Sequence, residues 1–175
     1  AAGRRGPREV VHRGARGGRL TRRPRHAMGY ALASLARNLG AGARLTLFLR
    51  VDRLAFRIDV AQLQGALLHL VTNARESIQG GGLIRIGTRN LRAQDLEPDP
   101  GVNEFADHVE VAIADNGSGM ESEIRRRAVE PFFTTKTAAA GLGLSVVHGF
   151  VSQTRGHLVI ESGVNHGTTV RLQLQ

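Results

Sequence analysis

Apolar positions along the chain recur at two spacings, and these divide it into elements. In "MGYALASLARNL" (Met28–Leu39) the apolar residues Met28, Leu32, Leu35 and Leu39 fall at helical intervals. "RLTLFLRV" alternates instead, with Leu45, Leu47, Leu49 and Val51 on one side, which predicts a strand. Phe56–Asp59 is expected as a second, short strand. Asp59 then stands where a helix N-cap belongs, with Gln62 three residues on, as in a capping box. The stripe Leu63, Leu67, Leu70, Ala74, Ile78 follows at steps of three and four, and the helix is expected to stop at Gly80-Gly81-Gly82.

Beyond it, "LIRIGT" (Leu83–Thr88) predicts a strand, and the acidic stretch Asn90–Phe105, with Pro98 and Pro100, predicts a loop. "HVEVAIA" (His108–Ala114) alternates through Val109, Val111 and Ile113 and predicts a strand ending at Asp115. "MESEIRRRAVE" predicts a short helix. "GLGLSVVHGFVSQTRG" is a glycine loop opening a helix that stops near Gly156. "HLVIES" and "TTVRLQLQ" predict two strands joined as a hairpin by "GVNHG". The total is three or four helices and six strands, with no repeat. The terminal hairpin excludes a purely parallel sheet, so the expected class is α+β, helices on one face of a mixed sheet.

Composition narrows the partners. The 175 residues suffice for one domain with a core, contain no cysteine, and include no apolar run long enough for a membrane span. No secretory signal is recognisable, and a cytoplasmic location with no membrane contact by this segment is expected. The net charge of +9 is concentrated at one end: residues 1–26 carry nine arginines against Glu9 alone, and the rest is nearly balanced. This Gly/Arg-rich flank, set against a domain over 27–175, is expected to be flexible: a solvated arm, or the cut end of a longer protein. It has no aromatic residue to stack on bases, so nucleic acid is not an expected partner.

Three stretches carry candidate chemistry. In "ADNGSG", Asp115 ends a strand and is followed by Gly117 and Gly119. Such glycines admit a flat ligand, and the carboxylate accepts from an exocyclic amine such as adenine's, where guanine presents a carbonyl. Alone, Asp-Asn-Gly is equally a common turn. In "LLHLVTNARESI", Asn73 sits inside an apolar helix where asparagine is a poor fit. His69 and Glu76 share its face, and its amide oxygen suits Mg²⁺, although a solvated helix face has the same pattern. In "GLGLS", Gly141, Leu142 and Gly143 open a helix whose first N–H groups suit phosphate. Lys136, the one lysine among 24 Lys and Arg, lies just before this loop. A lysine there suits a mobile phosphate contact, and a chance occurrence in an arginine-biased chain is the alternative.

The order of these blocks is more specific than any one of them. A helix asparagine, then Asp-x-Gly-x-Gly, "EPFFTTK", "GLGLSVVHGFV" and "HGTT" resemble the ATP-binding catalytic domain of bacterial sensor histidine kinases. The closest likeness is to nitrogen-regulator and hybrid kinases, within the GHKL superfamily that also holds gyrase-type and chaperone ATPases. The resemblance covers about residues 44–174. It implies a two-layer α/β sandwich (the Bergerat fold) with a mobile lid, ATP and Mg²⁺ as ligands, and transfer of the γ-phosphate to a histidine on a dimerisation domain, with a response regulator downstream. It implies Asn73 as magnesium ligand, His69 and Glu76 beside it, and Asp115 as acceptor of the adenine amine. Gly117 and Gly119 become the first glycine box, and Phe132 and Phe133 an aromatic box packed at the base of the lid. Lys136 falls in the lid, Gly141, Leu142 and Gly143 form the phosphate-binding second box, and Thr168 joins Asp115 at the adenine. Asn73 and Lys136 are thereby the candidate catalytic residues.

The sequence departs from that pattern at His69, where the family usually has Asn, at Ala139 and Asn165, which replace glycines, and in a short lid, Thr134–Ala140. The alternatives are a nucleotide-binding regulatory module without transfer, a hydrolysing GHKL ATPase, and a protein serine kinase. The hydrolases place a Glu four residues before the helix asparagine, where this chain has His69. None of the seven histidines is followed by an acidic residue, and "HRGARGGRLTRR" (His12–Arg23) resembles only the tail of a second dimerisation helix. The acceptor histidine is therefore expected on a separate domain.

Overall fold

The computed structural model describes residues 43–49, 58–92, 108–137 and 139–175. The helix expected at Met28–Leu39, residues 1–26, and Phe56 and Arg57 of the short second strand lie outside these. Among the described residues the order is β1 (Ala43–Leu49), α1 (Val60–Ser77), β2 (Gly82–Leu91), β3 (His108–Asp115), α2 (Ser122–Arg127), α3 (Gly143–Gln153), β4 (His157–Gly163) and β5 (Gly167–Leu174). The strands form one sheet in the order β1-β2-β3-β5-β4. The β1–β2 pair is parallel and the other three pairs antiparallel, so the sheet is mixed as expected.

Helix α1 begins where its cap predicts. The Asp59 carboxylate accepts from the N–H groups of Ala61 (2.8 Å) and Gln62 (3.3 Å), which satisfies two donors that the first turn leaves open. Leu63, Ala66, Leu67, Leu70, Val71 and Ala74 form its buried stripe. With α3's Val147, Phe150 and Val151 they cover the sheet face built by Ile84 and Ile86 of β2, Val111 and Ile113 of β3, and Val170, Leu172 and Leu174 of β5. Both large helices lie on this one face, which completes the two-layer sandwich.

The opposite face of the sheet carries an ionic ladder. Glu110, only 2% exposed, takes a two-pronged contact from Arg89, Nε at 2.7 Å and Nη2 at 3.1 Å, its cross-strand partner on β2. Arg171 on β5 reaches Glu110 at 3.5 Å and Glu161 on β4 at 2.9 Å. The hydrogen bond to Glu161, aided by the charges of Glu161 and Glu110 and opposed by burial, holds the Arg171 guanidinium above its ordinary range. It stays charged wherever the protein is folded.

Several boundaries differ from the sequence expectation. Helix α1 ends at Ser77, ahead of the triple glycine: Ile78 turns extended and packs toward the core. Strand β2 starts at Gly82 and runs to Leu91, past the expected Thr88, because Asn90 and Leu91 pair with Val109 and His108 and Leu91 is buried. Asn90 and Leu91 of the expected loop are thus strand, and its residues beyond Arg92 lie outside the described residues. Helix α2 covers only Ser122–Arg127 of "MESEIRRRAVE", with Ala128 as its C-cap. The hairpin forms as predicted, closed by the Gly163–Gly167 pair with Asn165 at φ 61°.

Candidate active site

The end of β3 delivers Asp115 to the C-terminal end of α1. Its Oδ1 accepts from the Gly117 N–H (2.9 Å), and Ser77 Oγ stands 3.1 Å away. Thr168 is the β5 residue paired with Asp115. Its Oγ1 lies 2.9 Å from Ser162 Oγ, which also accepts from the Met120 N–H at 2.9 Å. Ser77 and Ser162 had no place in the sequence reading. Each is a lone hydroxyl whose role depends on strands and helices meeting far along the chain.

Gly119 is the glycine that the turn most needs. It sits at φ +66°, and a Cβ there would overlap the Gly163 carbonyl oxygen. The same turn is tied to the hairpin by a 2.7 Å bond from the Asn165 N–H to the Ser118 carbonyl. The first glycine box is thus wedged between α1 and the β4–β5 hairpin. Asn165, where the family pattern has glycine, adopts the left-handed backbone that asparagine tolerates better than most residues.

The second box lies at the other end of the same helix face. Gly143 is the first residue of α3, and a Cβ on it would stand 3.6 Å from His69 Nδ1 and 3.7 Å from Asn73 Nδ2. Leu142, the N-cap, makes no side-chain cap hydrogen bond to the opening N–H groups of α3. The lid base is a clasp: the Phe132 N–H donates to the Gly141 carbonyl at 2.9 Å, with Phe132 at φ 67° and Gly141 at φ 68°. A left-handed phenylalanine costs about 1–3 kcal/mol and is held only where the surroundings impose it. The aromatic pair behaves unequally. Phe133 is half-buried with the Arg127 guanidinium 4.2 Å from its ring centroid, whereas Phe132 is 76% exposed, so base-of-lid packing falls to Phe133 alone.

Lys136 reaches from the lid to α1. Its Nζ lies 2.5 Å from Glu76 Oε2 and 3.5 Å from Asn73 Oδ1. The polar column His69, Asn73, Glu76 thus lies beside Lys136 and Gly143, with Asn73 half-buried and His69 and Glu76 exposed. Asn73 and Glu76 present hard oxygen donors already turned toward a cationic group, a donor set that fits Mg²⁺. Among the described residues no three His, Asp or Glu side chains converge as a metal centre of their own, so such an ion would draw its remaining ligands from phosphate and water.

The sandwich, the two glycine boxes and the helix asparagine between them define a nucleotide-binding ATPase-type domain. The chain belongs to the family described as histidine kinase-, DNA gyrase B-, and HSP90-like ATPase, which residues 58–175 match. It is 34% identical over 149 residues, 80% of the chain, to the sensor kinase CckA of Brucella abortus (strain 2308), of which it spans 15%. It is 31% identical over 113 residues, 65% of the chain, to sporulation kinase E of Bacillus subtilis (strain 168), of which it spans 14%. The chain thus covers a small part of the curated relatives it matches. Among solved structures, the catalytic domain of histidine kinase ThkA superposes with TM-score 0.66 at 21% identity, covering 89% of this chain and 93% of that one. The mycobacterial sensor histidine kinase MprB gives 0.63 at 22%, covering 86% and 92%. These two likenesses are of fold. The family inferred from the order of the motifs is borne out.

Proposed function

We propose that this chain is the catalytic domain of a cytoplasmic two-component sensor kinase. It binds Mg-ATP and passes the γ-phosphate to a histidine on a dimerisation domain, with a response regulator as the eventual acceptor. The observation that carries the reading is the layout of one helix face. Ser77, beside Asp115, and His69, beside Gly143, are eight residues apart on α1, a rise of about 12 Å. That is the scale of one nucleoside triphosphate laid along the helix, base toward Asp115 and phosphates toward α3. Among the described residues no helix is long and apolar enough to cross a membrane.

In this reading each residue has a task. Asp115, with Thr168 beside it, accepts the adenine amine. The α3 N-terminus, opened by Gly141, Leu142 and Gly143, donates N–H groups to phosphate oxygens. Asn73 holds Mg²⁺, which supplies charge neutralisation at the phosphates when bound. Lys136 exchanges Glu76 for phosphate as the lid closes; a flexible ammonium suits that exchange. His69 stands where a hydrolase of the family would carry its carboxylate base, which favours transfer over hydrolysis. Incubation with γ-labelled ATP and an added histidine-bearing dimerisation domain tests the proposal, by the appearance of acid-labile label on the added domain.

Lys136→Ala should weaken ATP by about tenfold, the worth of a charged hydrogen bond, and leave adenosine binding unchanged. Its ion pair with Glu76 is exposed, with side chains 40% and 48% accessible, so the loss in stability should stay below about 1 kcal/mol. Titration calorimetry with both ligands and a thermal melt check this. Equal losses for ATP and adenosine would remove the phosphate role and leave the lone lysine to chance.

A further inference from the structure

We infer that Ser77 is a positioning residue for nucleobase selection: it fixes the Asp115 carboxylate so that one oxygen is saturated and the other is free for the base. The inference rests on the adenine reading of Asp115 given above.

Asp115 Oδ1 lies within hydrogen-bond distance of two donors, the Gly117 N–H at 2.9 Å and Ser77 Oγ at 3.1 Å. Among the described residues Oδ2 receives none. Ser77 Oγ also lies 2.8 Å from the Ala74 carbonyl, so its single proton is shared between two acceptors in a three-centre bond. The charged carboxylate is the stronger acceptor, and the Ala74 arm keeps the hydroxyl in place. The backbone of the same residue closes the arrangement: the Ser77 carbonyl accepts from the Ser118 N–H at 3.0 Å. A Cβ on Gly117 would overlap the Ser77 side chain. The last residue of α1 therefore grips the first glycine box through both its side chain and its main chain.

The consequence is directional. A carboxylate free to rotate about its χ2 offers its oxygens indifferently, because that torsion is broad. With Oδ1 held by Ser77 and Gly117, Oδ2 alone is presented, as a pure acceptor. A pure acceptor selects a base that brings a donor and penalises one that brings a carbonyl. Ser77 does not touch the base in this scheme; it acts through Asp115.

Ser77→Ala in the full chain, titrated with ATP and with purine riboside triphosphate, which lacks the 6-amine, tests the inference. Serine to alanine at a helix end spares the fold, and the amine-free nucleotide reports whether the pocket is intact. The expected result is that ATP binding falls by about fivefold while the amine-free nucleotide changes by less than about twofold. Wild-type protein that binds both nucleotides equally would overturn the adenine reading itself. Wild-type protein that prefers ATP, with Ser77→Ala keeping the full preference, would overturn only the role of Ser77. An equal loss of both nucleotides would also overturn it, by showing a structural part alone.

Discussion

Asp115→Ala should weaken Mg-ATP binding by about ten- to a hundredfold. A hydrogen bond to a charged acceptor is worth about 1.5–3 kcal/mol, and each 1.4 kcal/mol is a factor of ten in affinity. Asp115 is half-buried at the end of β3, with one oxygen engaged by Gly117 and Ser77. In the proposed reading the base meets the other oxygen, and the same carboxylate should set a preference for ATP over GTP, since guanine places a carbonyl where adenine places its amine. Calorimetry with both nucleotides and both proteins reads the effect. Wild-type protein that binds ATP and GTP alike would contradict the adenine assignment.

The second large effect is on the fold at the same place. Gly119→Ala should destabilise the protein by about 2–4 kcal/mol and weaken nucleotide binding with it. Left-handed backbone costs a non-glycine residue about 1–2 kcal/mol, and the new methyl would overlap the Gly163 carbonyl at φ +66°. Relief requires the glycine turn to part from the hairpin, at the expense of the Asn165–Ser118 bond. Gly65→Ala is the matched control. It lies inside α1 with nothing within 4 Å of the added methyl, so alanine there should stabilise by about 0.5–1 kcal/mol. Denaturant melts of the two variants should move in opposite directions. A Gly119→Ala protein as stable as the parent would show that the turn can adjust at no cost.

Particular residues show what the sequence could and could not reveal. The Asp59 cap, the Leu63–Ala74 stripe and the alternation of β3 are local signals, and local physics placed them well. The glycine pairs stood out in the sequence by their spacing, but what forces Gly117 and Gly119 is the close approach of Ser77 and of the Gly163 carbonyl, which only the tertiary structure shows. The ends of elements were not legible, because tertiary pairing decides them: Leu91 is strand because His108 lies opposite, 17 positions away in the numbering. The Arg89–Glu110–Arg171–Glu161 ladder depends on the register of three strand pairs, and no one segment encodes it. Ser77 was overlooked for the same reason, since its partner is 38 residues on. The parallel pairing of β1 with β2 also needs the sheet order before it can be stated.

The proposed function stands or falls on transfer of phosphate to a histidine expected on a separate domain. The decisive measurement supplies the isolated 175-residue chain with γ-labelled Mg-ATP, alone and with a histidine-bearing dimerisation domain. Controls replace the acceptor histidine by alanine in one sample and Asn73 by alanine in the other. The account predicts no label on the chain alone, acid-labile label accumulating on the added domain, and loss of that label in both controls. Stable acid-labile label on the isolated chain, or hydrolysis of ATP with no label on any supplied acceptor, would contradict it.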